Sequence, residues 1–158
     1  LELKNPLLFF FNIDLLSNYE DWPDISNLDY LYHLSANADV RGGVQDREID
    51  FKQNVIVTKS VCDYAKTNNC KHLVFASSAT VYGNPKRVPI KESAKIKPLN
   101  TYGRTKAEVE ALLEDIYLAN QNWMSSGSRH YLSSSNLRTF LKSLLSSLSL
   151  LSNPTIWL

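Results

Sequence analysis

Three short apolar runs, set among stretches of different periodicity, restrict this chain more than any other feature. Residues 7–11, 30–34 and 72–76 are each of strand length, and the last is near-continuously apolar, as strands covered on both faces tend to be. Between the second and third, residues 54–68 turn helical, with Val57, Val61, Tyr64 and Ala65 on one face at three- and four-residue spacing. A longer helix is expected over residues 101–118, with Tyr102, Lys106, Val109, Leu113 and Ile116 along one stripe. Residues 18–27, which hold Pro23, read as a loop or a broken helical turn, and residues 83–99 carry Pro85, Pro89 and Pro98 and read as a loop. Strands alternating with helices in this way specify an α/β domain on a parallel sheet.

Composition removes several classes of function. A formal net charge of +1 offers no electrostatic case for nucleic acid or an anionic membrane surface. The apolar run at residues 7–11 is too short to span a bilayer and lacks the flanks of a signal peptide. Cys62 and Cys70 have no metal-ligand companions at suitable spacing, so no metal site is expected and both read as reduced thiols of a cytoplasmic protein. Phe9, Phe10 and Phe11 read as core, and His33 as a strand residue whose ring is satisfied locally.

The chemistry is concentrated in two places. Ser77 and Ser78 follow the third strand directly, where a parallel sheet presents ligands at its carboxyl edge. Tyr102 and Lys106 lie four apart at a helix start, so both side chains share one face. An ammonium beside a phenol stabilises phenolate and lowers its pKa from about 10, which suits a tyrosine to general acid–base work. A Tyr-x-x-x-Lys spacing alone is most often a packed tyrosine and a solvated lysine. The upstream serine pair is what lifts this one above that reading.

These residues carry a family resemblance. The stretch Leu73-Val74-Phe75-Ala76-Ser77-Ser78-Ala79-Thr80-Val81-Tyr82-Gly83 closely resembles the serine motif of UDP-glucose 4-epimerases, in the NAD-dependent epimerase/dehydratase branch of the extended short-chain dehydrogenase/reductase family. Thr101-Tyr102-Gly103-Arg104-Thr105-Lys106 is similar to their Tyr-x-x-x-Lys motif. His33-Leu34-Ser35-Ala36, with Val40 and Arg41, resembles the segment after the family's fourth strand, Asn54 and Val55 resemble a helix-start element, and Asn12-Ile13-Asp14-Leu15 resembles the acidic turn at the adenine. The likeness covers residues 7–120.

It implies a Rossmann-like, doubly wound parallel sheet, present in part, and NAD as cofactor. Tyr102 would be the acid/base at the sugar 4-hydroxyl, and Ser78 would hydrogen-bond the same hydroxyl. Lys106 would bind the nicotinamide ribose and tune Tyr102. Asp14 and Leu15 would meet the adenine, Leu34, Ser35, Ala36 and Gln53 would line the cofactor, and Asn54 would be structural. The implied reaction moves a hydride from a nucleotide-sugar to NAD⁺ and back onto the other face. Dehydratases of the family place Asp-Glu where Ala79 and Thr80 stand here, so epimerisation is favoured over elimination. Family members commonly dimerise through the helix bearing Tyr102, and that route is open to this chain.

The pattern is incomplete. No glycine precedes Gly42, so the Gly-x-x-Gly-x-x-Gly turn that brings backbone N–H groups to a pyrophosphate is missing from these residues. The expectation is a fragment: a partial NAD-binding unit over residues 1–120, not a competent epimerase, whose remaining sheet has an unpaired edge or exposed face. Residues 121–158 form a Ser/Leu-rich tail that does not match the family, with eleven serines from Ser125 to Ser152. A frame shift or aberrant splice would give such a composition, although residues 137–148 fit an amphipathic helix. Two alternatives stand beside this reading. One is a non-catalytic Rossmann-like protein acting in protein association, and the other is a different nucleotide-sugar modifier such as a dehydratase or decarboxylase.

Overall fold

The computed structural model describes residues 9–37, 47–91, 93–119 and 155–157. Its centre is a parallel pair, β1 (Tyr30–His33) and β2 (His72–Phe75), in register from Tyr30 opposite His72 to His33 opposite Phe75. A third strand, β3 (Thr155–Trp157), runs parallel along the other side of β1, so the sheet order is β2-β1-β3. Between β1 and β2 lie α1 (Arg47–Asp50), a π-helical segment (Phe51–Ile56) and α2 (Val57–Thr67). After β2 come a 3-10 turn (Ala79–Tyr82) and the long α3 (Thr101–Ala119).

The period-two alternation of a strand divides the core. Leu31 points into a cluster with Trp22, Leu28, Val57, Val61, Tyr64, Ala65 and Cys70. The expected stripe of α2 is therefore the buried one. Phe75 joins Val55 and Cys62 with Val109 and Leu113 of α3, while Tyr32 and Val74 pack on the opposite face beside Tyr30. The segment before β1 is held by two long-range contacts of Asn68 and Tyr64. The Asn68 side chain accepts the Ile25 N–H at 3.1 Å, and the Tyr64 hydroxyl donates to the Pro23 carbonyl at 2.6 Å. Both thiols are free and buried. Among the described residues no helix is long and apolar enough to cross a membrane.

Two expectations are corrected. Phe9 and Phe10 belong to no strand and are 74% and 75% exposed, so this aromatic run is not core. An apolar run becomes a strand only where a neighbour offers a hydrogen-bond ladder, and among the described residues none pairs with it; Leu7 and Leu8 lie outside them. The helix before β2 begins at Arg47 rather than Asn54. Its first turns escape the apolar pattern because Ile49, Phe51 and Ile56 face solvent. β3 occupies the second side of β1, and among the described residues the sheet ends on the outer sides of β2 and β3. The expected helix over residues 137–148 lies outside the described residues, as do Val40, Arg41 and the Gly42–Gly43 pair.

Candidate functional site

Parallel pairing brings the carboxyl ends of β1 and β2 side by side. The Ala76 N–H donates to the His33 carbonyl at 3.1 Å, so residues 34–36 and 76–78 leave the sheet together. Ser78 is extended, and its hydroxyl caps the 3-10 turn by accepting the Thr80 N–H at 3.3 Å and the Thr80 hydroxyl at 2.9 Å. α3 starts beside that turn because Asn100 caps it, accepting the Gly103 N–H at 2.7 Å. Gly103 permits the approach: a Cβ there would stand 2.8 Å from the Thr80 carbonyl. Tyr102 is thereby set beside the Ser78 turn, near enough for the Ser78 hydroxyl to draw its pKa down.

Lys106, one turn on, is 2% exposed. Its ammonium donates to the Ala76 carbonyl at 2.9 Å and lies 4.4 Å over the Phe75 ring. Its distance to the Tyr102 ring centroid is 5.8 Å. The expected depression of the phenol by this lysine is therefore not what the structure displays. Burial raises the Tyr102 pKa, the Ser78 hydroxyl pulls it back down, and the charge of Asp50 adds to the rise. Glu110, half-buried four residues after Lys106, hydrogen-bonds the Ser77 hydroxyl. Burial raises its carboxyl pKa, against the Ser77 bond and the Lys106 charge.

Behind this group lies a buried polar network whose proton directions are determined. The Thr105 hydroxyl donates to the Tyr102 carbonyl at 2.9 Å, so it accepts from the Asn54 amide at 3.0 Å. The Asn54 oxygen accepts the Asn37 N–H at 2.8 Å, and the Asn37 amide donates to Asp50 at 2.8 Å. Thr58 donates to the Asn54 backbone carbonyl at 2.6 Å, and its oxygen lies 2.9 Å from Nε2 of His33. The Thr58 proton being used, Nε2 of His33 is the donor in that pair. Asn54 thus joins the π segment, the loop after β1 and the Tyr102 turn, the structural part expected of it. His33 is satisfied locally at Nε2, by Thr58.

Burial drops the Lys106 pKa from 10.5 to about 8, with Glu110 opposing. This folded-state value lies below the unfolded one, so stability rises as pH climbs from about 8. Burial pushes the thiols of Cys62 and Cys70 the other way, from 9.0 up to about 12 and about 11. Stability from keeping them neutral is lost as pH rises above 9.0. Two thiols outweigh one lysine, so unfolding free energy is expected to peak near pH 9.0. Lys106→Met is expected to abolish the rise below that peak, worth about 1 kcal/mol, and to leave the fall above it. Urea unfolding in half-unit pH steps checks both.

Of the residues singled out by sequence, Ser78, Tyr102 and Lys106 come together, with Leu34, Ser35 and Ala36 leaving the adjacent strand end. Gln53 lies in the π segment, half-buried beside Asn54. Asp14 and Leu15 belong to another segment: Asp14 accepts the Leu16 N–H at 2.9 Å, and Leu15 packs on the Trp22–Val61 cluster. Sequence reasoning gave no role to Thr80, Thr105, Asn37 or Glu110. Thr105 and Glu110 were discoverable, since they sit three after Tyr102 and four after Lys106 on one helix.

A serine-capped turn at the carboxyl end of parallel strands, facing a helix start that carries Tyr102 and Lys106, lies where open α/β sheets bind their ligands. The chain belongs to the NAD dependent epimerase/dehydratase family, whose model matches residues 2–137. It is 34% identical over 116 residues to the bifunctional UDP-glucose 4-epimerase and UDP-xylose 4-epimerase 1 of Pisum sativum, covering 72% of this chain and 33% of that one. A UDP-glucose 4-epimerase of Cyamopsis tetragonoloba is 39% identical over 98 residues, covering 62% of this chain and 28% of that one. Among solved structures, the UDP-glucose 4-epimerase of Bifidobacterium longum in complex with NAD+ and UDP superimposes with a TM-score of 0.58 at 32% identity, covering 62% of this chain and 30% of that one. The UDP-N-acetylglucosamine 4-epimerase of Methanobrevibacter ruminantium gives 0.58 at 30% identity, covering 65% and 34%. The chain spans about a third of the length of the Pisum sativum relative, at 33%.

Proposed function

We propose that this chain is the acid–base segment of an NAD-dependent nucleotide-sugar 4-epimerase. The observation that carries the reading is the buried Lys106, its ammonium on the Ala76 carbonyl at the end of β2, with Tyr102 one turn before it beside the Ser78 turn. The Thr80 hydroxyl donates to Ser78 at 2.9 Å, which leaves the Ser78 proton for an incoming oxygen, and the phenol carries the proton to be exchanged. Tyr102 exchanges that proton with the sugar 4-hydroxyl, and Ser78 orients the same hydroxyl. Lys106 supplies positive charge at the nicotinamide ribose. Leu34, Ser35, Ala36 and Gln53 line the cofactor, and Asp14 with Leu15 receives its adenine. NAD, when bound, accepts and returns the hydride.

The residues fit one end of that cofactor better than the other. A lysine ammonium and two hydroxyls converge at the nicotinamide end. For the pyrophosphate, these 158 residues hold no glycine-rich turn. The isolated polypeptide is accordingly expected to bind NADH weakly and not to turn over a nucleotide-sugar; tight, saturable fluorescence enhancement would contradict this.

Segment exchange tests the catalytic reading directly. Residues 7–120 would replace the matching segment of the Pisum sativum relative, and the product be assayed with UDP-glucose and NAD. Turnover above background is expected. A folded exchange protein that binds NAD yet is inactive would overturn the assignment and favour a non-catalytic role in protein association.

A further inference from the structure

The two residues that follow β2 each take hold of one residue of α3. The Ala76 carbonyl accepts from the Lys106 ammonium at 2.9 Å, and the Ser77 hydroxyl donates to Oε1 of Glu110. Lys106 and Glu110 are one turn apart on the same helix. Besides that carbonyl, the ammonium meets the face of the Phe75 ring, 4.4 Å from its centroid. A carbonyl and a ring carry no net charge, and burial among neutral groups alone favours an amine that has lost its proton. Glu110 is the acid that can offset this. Neither Glu110 nor Ser77 has a part in the acid–base roles given to Tyr102 and Ser78.

We propose that Glu110, anchored by the Ser77 hydroxyl, is a positioning residue that keeps Lys106 an ammonium and holds it at the end of β2. The proposal rests on the reading of Lys106 as the positive charge at the nicotinamide ribose, and it names what maintains that charge. A half-buried glutamate has three rotatable bonds through which to turn toward water. The bond from Ser77 fixes one carboxylate oxygen and, being made to a charged acceptor, is of the stronger kind. It also commits the Ser77 proton, so the adjacent serines divide their work: Ser77 serves the lysine, and Ser78 the turn beside Tyr102. Of the neighbouring titratable groups, Tyr102 is on the same helix, the His33 ring lies 5.7 Å from that of Phe75 and bonds Thr58, and Asp50 accepts from Asn37. Glu48 and Lys52 pair with each other in solvent at 2.8 Å. The charge that acts on Lys106 is that of Glu110, raising its pKa against burial, and Lys106 in turn lowers the pKa of Glu110.

Lys106 can be read directly in the full chain, with no cofactor, substrate or turnover. An inactive segment exchange would therefore leave this result standing, and failure here would leave the roles of Tyr102 and Ser78 untouched. The Lys106 Cε resonance, assigned by its loss in Lys106→Met, is followed through its titration by two-dimensional NMR. In the unaltered chain the midpoint is expected at about 8. Glu110→Gln keeps an oxygen to accept the Ser77 proton and removes the charge, and it is expected to lower the midpoint by about one pH unit. Ser77→Ala keeps the charge and removes its anchor, and it should lower the midpoint by a smaller step. A shift of less than about a third of a unit in Glu110→Gln would overturn the proposal. So would an unchanged midpoint in Ser77→Ala. A midpoint near the ordinary 10.5 in any of the three proteins would also overturn it, because Lys106 would then need no help from Glu110, or Glu110 would be holding the helix in place and not the charge.

Discussion

Tyr102→Phe, introduced into the segment-exchanged enzyme, is expected to reduce turnover by about a hundred- to ten-thousand-fold with little change in KM or melting temperature. The substitution removes one oxygen from a half-buried ring and leaves the ring's packing in place. What disappears is the phenol hydroxyl beside the Ser78 turn. Ser78 keeps its hydrogen bonds from Thr80, so the turn has no reason to collapse. The effect should therefore fall on kcat. Steady-state assays beside urea unfolding separate the two, and turnover within about tenfold of the parent would remove Tyr102 from the acid–base role.

Gly83→Ala is the second large effect, and it acts on folding. Gly83 has φ +66°, and a Cβ there would stand 2.2 Å from the Lys97 backbone carbonyl. Backbone cannot swing aside as a side chain can, and Lys97 is tied back by its N–H bond to the Val81 carbonyl at 2.9 Å. Positive φ and the clash together are expected to cost at least about 3 kcal/mol. Gly103→Ala should cost less. It meets the Thr80 carbonyl at 2.8 Å, but it sits in a helix where alanine gains about 1 kcal/mol over glycine. Urea midpoints that place the two in the opposite order would show that the loop over residues 83–99 yields more readily than the Ser78 turn.

Much of the fold could be read from the sequence wherever burial was periodic. The strand at residues 30–34, the stripe Val57–Val61–Tyr64–Ala65 and the helix at residues 101–118 all follow from one-sided contact with the core. Where a segment's fate is decided by a distant partner, local pattern was no guide. Phe9, Phe10 and Phe11 look like a strand by themselves, yet exposure is what they find. The Thr155–Trp157 strand lies in a Ser/Leu-rich stretch whose composition carries no register. For the site, residue types and spacing located Ser78, Tyr102 and Lys106. They could not reveal that Lys106 would bond the Ala76 carbonyl and lie over the Phe75 ring. That choice depends on the depth of the ammonium in the fold, which spacing does not encode.

The π-helical segment Phe51–Ile56 amounts to a one-residue insertion absorbed within a helix. Losing any single residue there would restore ordinary α-helical hydrogen bonding at no cost to helix length. It would also rotate the residues before the loss by about 100° relative to those after it. Asp50, at its start, would swing away from Asn37, or Asn54 away from Thr105, while α2 kept its packing on Leu31. Loss of one of residues 51–53 would thus leave Val55 and the α2 stripe on the core and be felt at Tyr102. A natural or laboratory deletion there is therefore a way to uncouple a sound fold from a working site.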